Sequence, residues 1–459
     1  MMPSRALMRR ALAGAILCVL ALTHPAHPAL AGPSTLALID AHGIHVDAVE
    51  MLDARQLHVQ VTAATLQQPV DVRILLPADY FAAARRYPVL YLFHGTSGRA
   101  SDWVTLGEAE ETTADLPLIV VMPDCGFDGD GGGWFADWFN AGAFGPPMWE
   151  TFHIAQLLPW IDANLRTVAT DTGRAVAGLS QGGFGSLSYA ARHPDLFTSV
   201  AAFSGACEID RDPEAIDIAT AIIRFTTQVL SGNADPDAIF GPRATESLNW
   251  RAHDPATLVT NLRGLDIELW TGDGTQGPLD PGPPTTAADP IELFVFGATR
   301  LFDGHLADAG IDHAYNYYGG GTHTWPYWAR DLREYVGPLM QRFEQPPAPR
   351  RTVGFLSADE QWERFGWRVD VLHDNPGFTQ LHYASRRGFA LTGTGIASVR
   401  TPPWYDAGAH VRVRMRGHGF TSTSNLIVGS GGQLRLTVPL GDAATPRTTR
   451  VGIQLLAQR

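Results

Sequence analysis

The chain has 459 residues, a hydrophobic fraction of 45% and a formal net charge of −13. That length holds two or three domains with a sizeable core, and the composition is that of a globular protein. The negative balance argues against a nucleic-acid partner. Met1 to Ala31 reads as a secretory signal, with a basic start at Arg5, Arg9 and Arg10, a short apolar run from Ala11 to Leu22, and an A-x-A cleavage site at Ala29-Leu30-Ala31. The apolar run is too short to span a bilayer comfortably. Cys18 inside it lacks the small residues before it that a lipoprotein signal needs. No other segment reads as transmembrane, so a secreted, envelope-associated protein is expected. Cys125 and Cys207 remain in the mature chain, and their spacing does not say whether they pair.

Residues 35 to 75 are β-rich: HVDAVEML and QLHVQVTAA alternate, and VDVRILLP is a further strand. YPVLYLFHG (87–95) and LPLIVVMPD (116–124) are continuous apolar strands, as suits strands covered on both faces. FDGDGGG (127–133) has two Asp but no terminal Glu at the calcium-loop offset, so no metal is expected. Residues 149–165 carry apolar side chains at helical spacing, and 197–206 and 265–275 are strands. Between them, 210–258 is helical and loop-rich and predicts a cap over a site. Residues 276–290 form a long loop, 298–309 a helix, and AYNYYGGGTH ends a last strand before the closing helix that TWPYWARDLREYVGPLM opens. Strands alternating with helices predict an α/β fold with a mostly parallel sheet over 32–343. A Pro-rich linker (344–352) leads to 353–459, where GWRVDVLHD, QLHYASR, IASVRTPPW, HVRVRMRG, QLRLTVPLG and RVGIQLLAQ predict a small all-β sandwich or barrel.

The chemistry is concentrated at residues 173–186. Gly178-Leu179-Ser180-Gln181-Gly182 is a G-x-S-x-G between a small apolar strand and a helix that stops at His193-Pro194. That context makes Ser180 a nucleophile on a tight elbow, with glycine at 178 and 182 because side chains there would clash. A serine hydroxyl needs a base. In this fold the acid and then the histidine follow the serine. His323, in a Gly-rich loop after the last strand, is the best placed; His305 and His313, on or beside a helix, are expected to be solvated. Asp273 is the acid that strand-end position suggests, with Asp280, Asp289 and Glu292 also within reach. The oxyanion hole needs two backbone N–H groups. One falls on Gln181 and the other in the loop His94-Gly95-Thr96.

YLFHG (91–95), ADWF (136–139), WETF (149–152), GLSQGGFGS (178–186), FGPRATESLNWRAHDP (240–255), GDGT (272–275) and GTHTWPYW (321–328) together resemble the secreted mycolyltransferase family, the antigen 85 type, within the esterase-D-like α/β-hydrolases. The resemblance covers about 40–343. It implies Ser180 as nucleophile, His323 as base, Glu292 as acid ahead of Asp273, Thr96 as the second oxyanion donor, and Trp325 as a lining residue. The family holds its trehalose acceptor with an acidic residue and an arginine where this chain has His94 and Ser97, so these two are expected to contact the acceptor and trehalose is expected to fit poorly.

The sequence therefore predicts a secreted serine acyltransferase, moving a long-chain acyl group from a lipid donor to an envelope glycan or glycolipid. Water as acceptor would make it an esterase, and loss of the chemistry would leave a wall-binding or adhesion protein. No cofactor is implied. Trp362, Trp367 and Trp404 are candidates to stack on wall polysaccharide, or to fill a sandwich core.

Overall fold

The computed structural model describes residues 36–456 except 67, 141–146, 284, 374 and 443–444. The expected signal, Met1 to Ala31, lies outside the described residues.

Alternation in the first strands produces an antiparallel start. Along β2 (Gln56–Ala63), Leu57, Val59, Val61 and Ala63 are buried, and β1 (Ile44–Met51) and β3 (Pro69–Leu75) flank it antiparallel. The continuous apolar runs become strands buried at every position: β4 (Val89–Phe93), β5 (Ile119–Pro123), β6 (Arg174–Leu179) and β7 (Ser199–Phe203). With β8 (Asp266–Thr271) and β9 (Ala314–Tyr317) they complete a nine-stranded sheet ordered β1-β2-β3-β5-β4-β6-β7-β8-β9. It is parallel from β5 to β9. Each side of the sheet has its own core. Tyr91 and Phe93 face one with Val176 and Leu187, while Leu90 and Leu92 face the other with Tyr335 and Leu339.

The helices are α1 (Asp102–Thr105), α2 (Ala109–Thr112), α3 (Leu158–Asn164), α4 (Gln181–Arg192), α5 (Pro213–Phe225), α6 (Arg243–His253), α7 (Pro290–Asp308) and α8 (Trp325–Glu344). Two differ from expectation. The helix over 149–165 is a π-helical turn, Thr151–Leu157, running into α3, whose first turn contains Pro159, a residue with no N–H for the helical ladder. The helix expected from 298 begins eight residues earlier. Asp289 caps it by accepting from the N–H groups of Ile291 and Glu292, and Pro290 pre-sets its first φ. No helix among the described residues is long and apolar enough to cross a membrane.

Beyond the linker lie two antiparallel sheets. One has the order β10-β13-β14-β19-β16-β17: β10 (Val353–Ser357), β13 (Thr379–Ser385), β14 (Gly388–Gly393), β19 (Arg447–Leu455), β16 (His410–Gly417) and β17 (Phe420–Ile427). The other has the order β11-β12-β15-β18: β11 (Gln361–Arg364), β12 (Trp367–Leu372), β15 (Ile396–Arg400) and β18 (Arg435–Pro439). Both sheets contribute to one core that includes Val369, Leu391, Val399, Val411, Val438 and Val451. Of the two roles open to the tryptophans, sugar stacking or core, they take the second: Trp367 is fully buried, Trp362 nearly so, and Trp404 packs on Trp367 with ring centroids 5.5 Å apart. Burying their apolar rings outweighs leaving them for a ligand.

This β portion is fastened to the larger sheet's helices. Asn261 is the clasp. Its amide donates to Ala191 O (2.9 Å) and Leu356 O (2.8 Å), and its carbonyl accepts from Leu356 N–H (2.8 Å). Arg364 donates to Arg192 O at 2.6 Å, and Leu356 and Phe378 pack against the hydrolase core. Cys125 and Cys207 are both buried free thiols.

Candidate active site

Strands β4, β6, β7 and β8 end side by side, Phe93 beside Gly178, and Leu179 beside Phe203. The loops leaving those carboxyl ends meet at one place, where ligands of open α/β sheets bind. Ser180 separates β6 from α4 at φ +53° and ψ −119°, a conformation that costs a non-glycine residue of order 1–3 kcal/mol. Its N–H donates to Phe203 O at 2.9 Å. A Cβ on Gly178 would lie 2.5 Å from the Gly182 backbone, and one on Gly182 would lie 2.4 Å from His94 O. The requirement for glycine at 182 thus comes from the end of β4.

The loop after β4 is braced rather than loose. Ser97, at φ +59°, donates its N–H to Asp130 O at 2.9 Å. Asp130 Oδ1 accepts from the N–H groups of Phe127 and Gly132. A Cβ on Gly131 would stand 2.5 Å from Gly98 N, so that position is glycine because two backbones touch there. Thr96 and Ser97 line the cavity below.

His94 does not reach that cavity, which corrects the expectation that it contacts the acceptor. Its ring is buried, with Nε2 accepting from Cys125 N–H (2.9 Å) and Nδ1 donating to Gly95 O (2.8 Å). Burial lowers its pKa to about 4. The imidazole is a neutral strut under the loop, and both nitrogens are occupied.

His323 Nδ1 lies 2.8 Å from Glu292 Oε2, and the Glu292 carboxylate has no exposed surface. Glu292 Oε1 accepts from Gly272 N–H (2.8 Å), Ser204 Oγ (2.9 Å) and Thr271 Oγ1 (3.1 Å). A proton on Nδ1 facing this carboxylate leaves Nε2 as the unprotonated nitrogen. Asp289 ties the two residues' backbones. It caps α7, where Glu292 sits, and accepts from His323 N–H at 3.0 Å. Asp273 lies elsewhere, half-buried, accepting from Thr275 N–H and from Tyr317 OH at 2.9 Å. Asp280 accepts from Thr322 and Tyr327 hydroxyls. His305 and His313 are not solvated. His305 Nε2 is 3.1 Å from buried Glu208, and His313 Nε2 is 2.8 Å from Asp303 Oδ1.

Ser180, Gln181, Thr96, Ser97, His323 and Trp325 all line one cavity of about 1000 Å³. Its remaining wall is mostly apolar, with Ile218, Ile222 and Phe225 from α5, Ile291 and Phe294 from α7, and Leu106, and it also carries Asp102 and Asp217. Trp328, also lining, sets its ring edge-on to His323 at 4.9 Å and to Trp325 at 5.2 Å. Of the 210–258 segment expected as a cap, α5 reaches the cavity, whereas α6 packs its Trp250 against Phe240 and binds Ser188 through His253 O. Sequence reasoning did not single out Ser204, Thr271, Trp328 or Asp289's double role. The Asp289-Pro290 pair was a readable cap signal; nothing local marks the others.

An open sheet, parallel through its centre, with a strand–elbow–helix turn on the central strand β6 defines an α/β-hydrolase. The chain belongs to the esterase family: residues 63–339 match the family described as "Putative esterase". It is 35% identical over 285 residues to Esterase Rv1288 of Mycobacterium tuberculosis, covering 61% of this chain and 59% of that protein. It is 30% identical to the diacylglycerol acyltransferase/mycolyltransferase Ag85B of Mycolicibacterium smegmatis, over 55% of this chain and 76% of that one. The chain thus spans about three fifths of the length of the first of these relatives. An S-formylglutathione hydrolase from Agrobacterium tumefaciens shares the fold at 16% identity, with a TM-score of 0.50 over 65% of this chain and 99% of that one.

Proposed function

We propose that the chain is a serine acyltransferase of the mycolyltransferase type. The observation that carries this is the 2.8 Å contact of buried Glu292 with His323, which lines the same cavity as Ser180. Ser180 Oγ attacks the donor ester as His323 Nε2 takes its proton. Glu292 holds the imidazole in the Nδ1–H tautomer and stabilises the imidazolium that forms. The N–H groups of Gln181 and Thr96 receive the oxyanion. The donor alcohol leaves with the His323 proton, and the acceptor hydroxyl then repeats the sequence on the acyl-serine. An apolar wall beside the serine suits a long acyl chain, and an envelope glycan or glycolipid is the acceptor. The N-terminal signal pattern supports a secreted, envelope-associated protein.

Water as acceptor is the second reading, favoured by the relatives named esterases. Both readings require Ser180. Ser180→Ala should lower turnover of a short p-nitrophenyl ester by several orders of magnitude with the fold intact. Retention of more than a tenth would end the assignment. Intact-mass analysis after exposure to an envelope lipid extract, followed by addition of trehalose, arabinogalactan or water alone, separates the readings. The uncharged Ser97 predicts that trehalose discharges the acyl-enzyme less well than the larger glycan.

A further inference from the structure

We infer that the outer face of the six-stranded β10–β17 sheet is a docking surface for the anionic headgroups of a phospholipid bilayer. Residues 353–459 carry twelve arginines against seven acidic residues, in a chain of net charge −13. The excess is focused. On β16, Arg412, Arg414 and Arg416 alternate outward while Val411 and Val413 point into the core. On the neighbouring β19, Arg450 is the register partner of Arg416 and is also exposed. Two two-residue repeats separate Arg412 from Arg416, so these arginines lie within about 14 Å along the strand.

Like charges directly opposite on adjacent strands destabilise a sheet, so fold stability does not account for the Arg416–Arg450 pairing. None of the four arginines forms an ion pair among the described residues; Arg412 makes one long contact, 3.4 Å, to Asn425. The β17 partners on the same face are Asn425, Thr423 and Thr421, exposed donors and acceptors without charge. Ile427, the partner of His410, lies on this face and is 66% exposed.

These features match a planar array of phosphates. Guanidinium binds phosphate oxygens in a fork, each basic group near an anionic leaflet adds attraction, and an exposed Ile can enter the interfacial layer. A glycan partner is less well served. Trp362, Trp367 and Trp404 are buried in or packed against the core, which leaves Tyr383 of β13 as a single well-exposed ring rather than a stacking platform.

The test is co-sedimentation of the full chain with vesicles of phosphatidylcholine alone and of phosphatidylcholine with 30 mol% phosphatidylglycerol. Binding at least tenfold stronger to the anionic vesicles, falling as salt rises, is the expected result. R412T/R414T/R416T/R450T should lose at least tenfold of that binding, with unchanged thermal melting and unchanged hydrolysis of a short soluble ester. R414T alone should lose a smaller part, which guards against misfolding of the fourfold variant. Equal binding to both vesicles, or full binding by the fourfold variant, would overturn the inference. So would displacement by inorganic phosphate beyond a chloride control of equal ionic strength, which would indicate a free-phosphate site. Retention on dextran sulfate without vesicle binding would move the surface to a soluble polyanion and overturn it too.

Discussion

Glu292 accepts from three donors on one oxygen and faces His323 with the other, so its carboxylate has no freedom to turn. Glu292→Gln should therefore present an amide to the imidazole and favour the wrong tautomer, lowering kcat by roughly four orders of magnitude. Asp273→Asn, which alters an exposed loop contact, should change kcat by less than about threefold. Steady-state kinetics of the two variants settle the acid, and the reverse pattern would reassign it. The candidate serine and histidine were legible from local motifs. The carboxylate that faces His323 was not, because strand-end logic favours Asp273, and Glu292 came forward only through the family resemblance. His94 shows the opposite failure: the family resemblance implied ligand contact, and its burial made it a strut. That burial has a pH signature. The folded pKa of about 4 lies below the 6.5 of a free histidine, so the unfolded chain takes up the proton first. Its contribution to stability is complete above pH 6.5 and is lost as pH falls towards 4. His94→Gln can still accept the Cys125 N–H and does not titrate. Between pH 6.5 and 5 the parent should lose about 2 kcal/mol more stability than this variant, measured by denaturant melts at each pH. Parallel curves would refute the strut.

Among the elements, the sheet was readable almost strand by strand, because burial on both faces writes unbroken apolar runs and burial on one face writes alternation. The β portion was half legible. β14, with glycine at both ends, and β17, polar without a break from Thr421 to Asn425, carry no alternation to find. α5 is the element whose consequence is most direct. Its Phe225 is 57% exposed yet lines the cavity, so it contributes little to folding and a good deal to the wall. Phe225→Asp should lower kcat/KM at least tenfold for a long-chain ester, since each buried methylene is worth about 0.8 kcal/mol. A p-nitrophenyl acetate control should fall less than threefold. Equal losses on both esters would mean that α5 does not contact the acyl chain.

At the scale of the whole molecule, the β portion and the hydrolase share a junction that residues 344–352, read as a linker, did not foretell. Contacts such as Asn261 with Leu356 join positions 95 residues apart, and no periodicity encodes them. Asn261→Ala would orphan buried backbone groups on both sides and should destabilise the chain by about 2–3 kcal/mol, read as a lower denaturant midpoint. If the midpoint holds, the two portions stand independently.

The two buried thiols add a property of another kind. Burial pushes the Cys207 thiol up to about 12 and raises that of Cys125 as well, and thiolate is the form that alkylating reagents attack. In the closed molecule both are chemically silent. Cys125 lies beneath the loop that carries Thr96, and Cys207 rests 3.6 Å from Thr299 of α7. Each sulfur is in effect a stopwatch sealed into one wall of the catalytic chamber, and the rate at which it acquires a label records how often that wall opens.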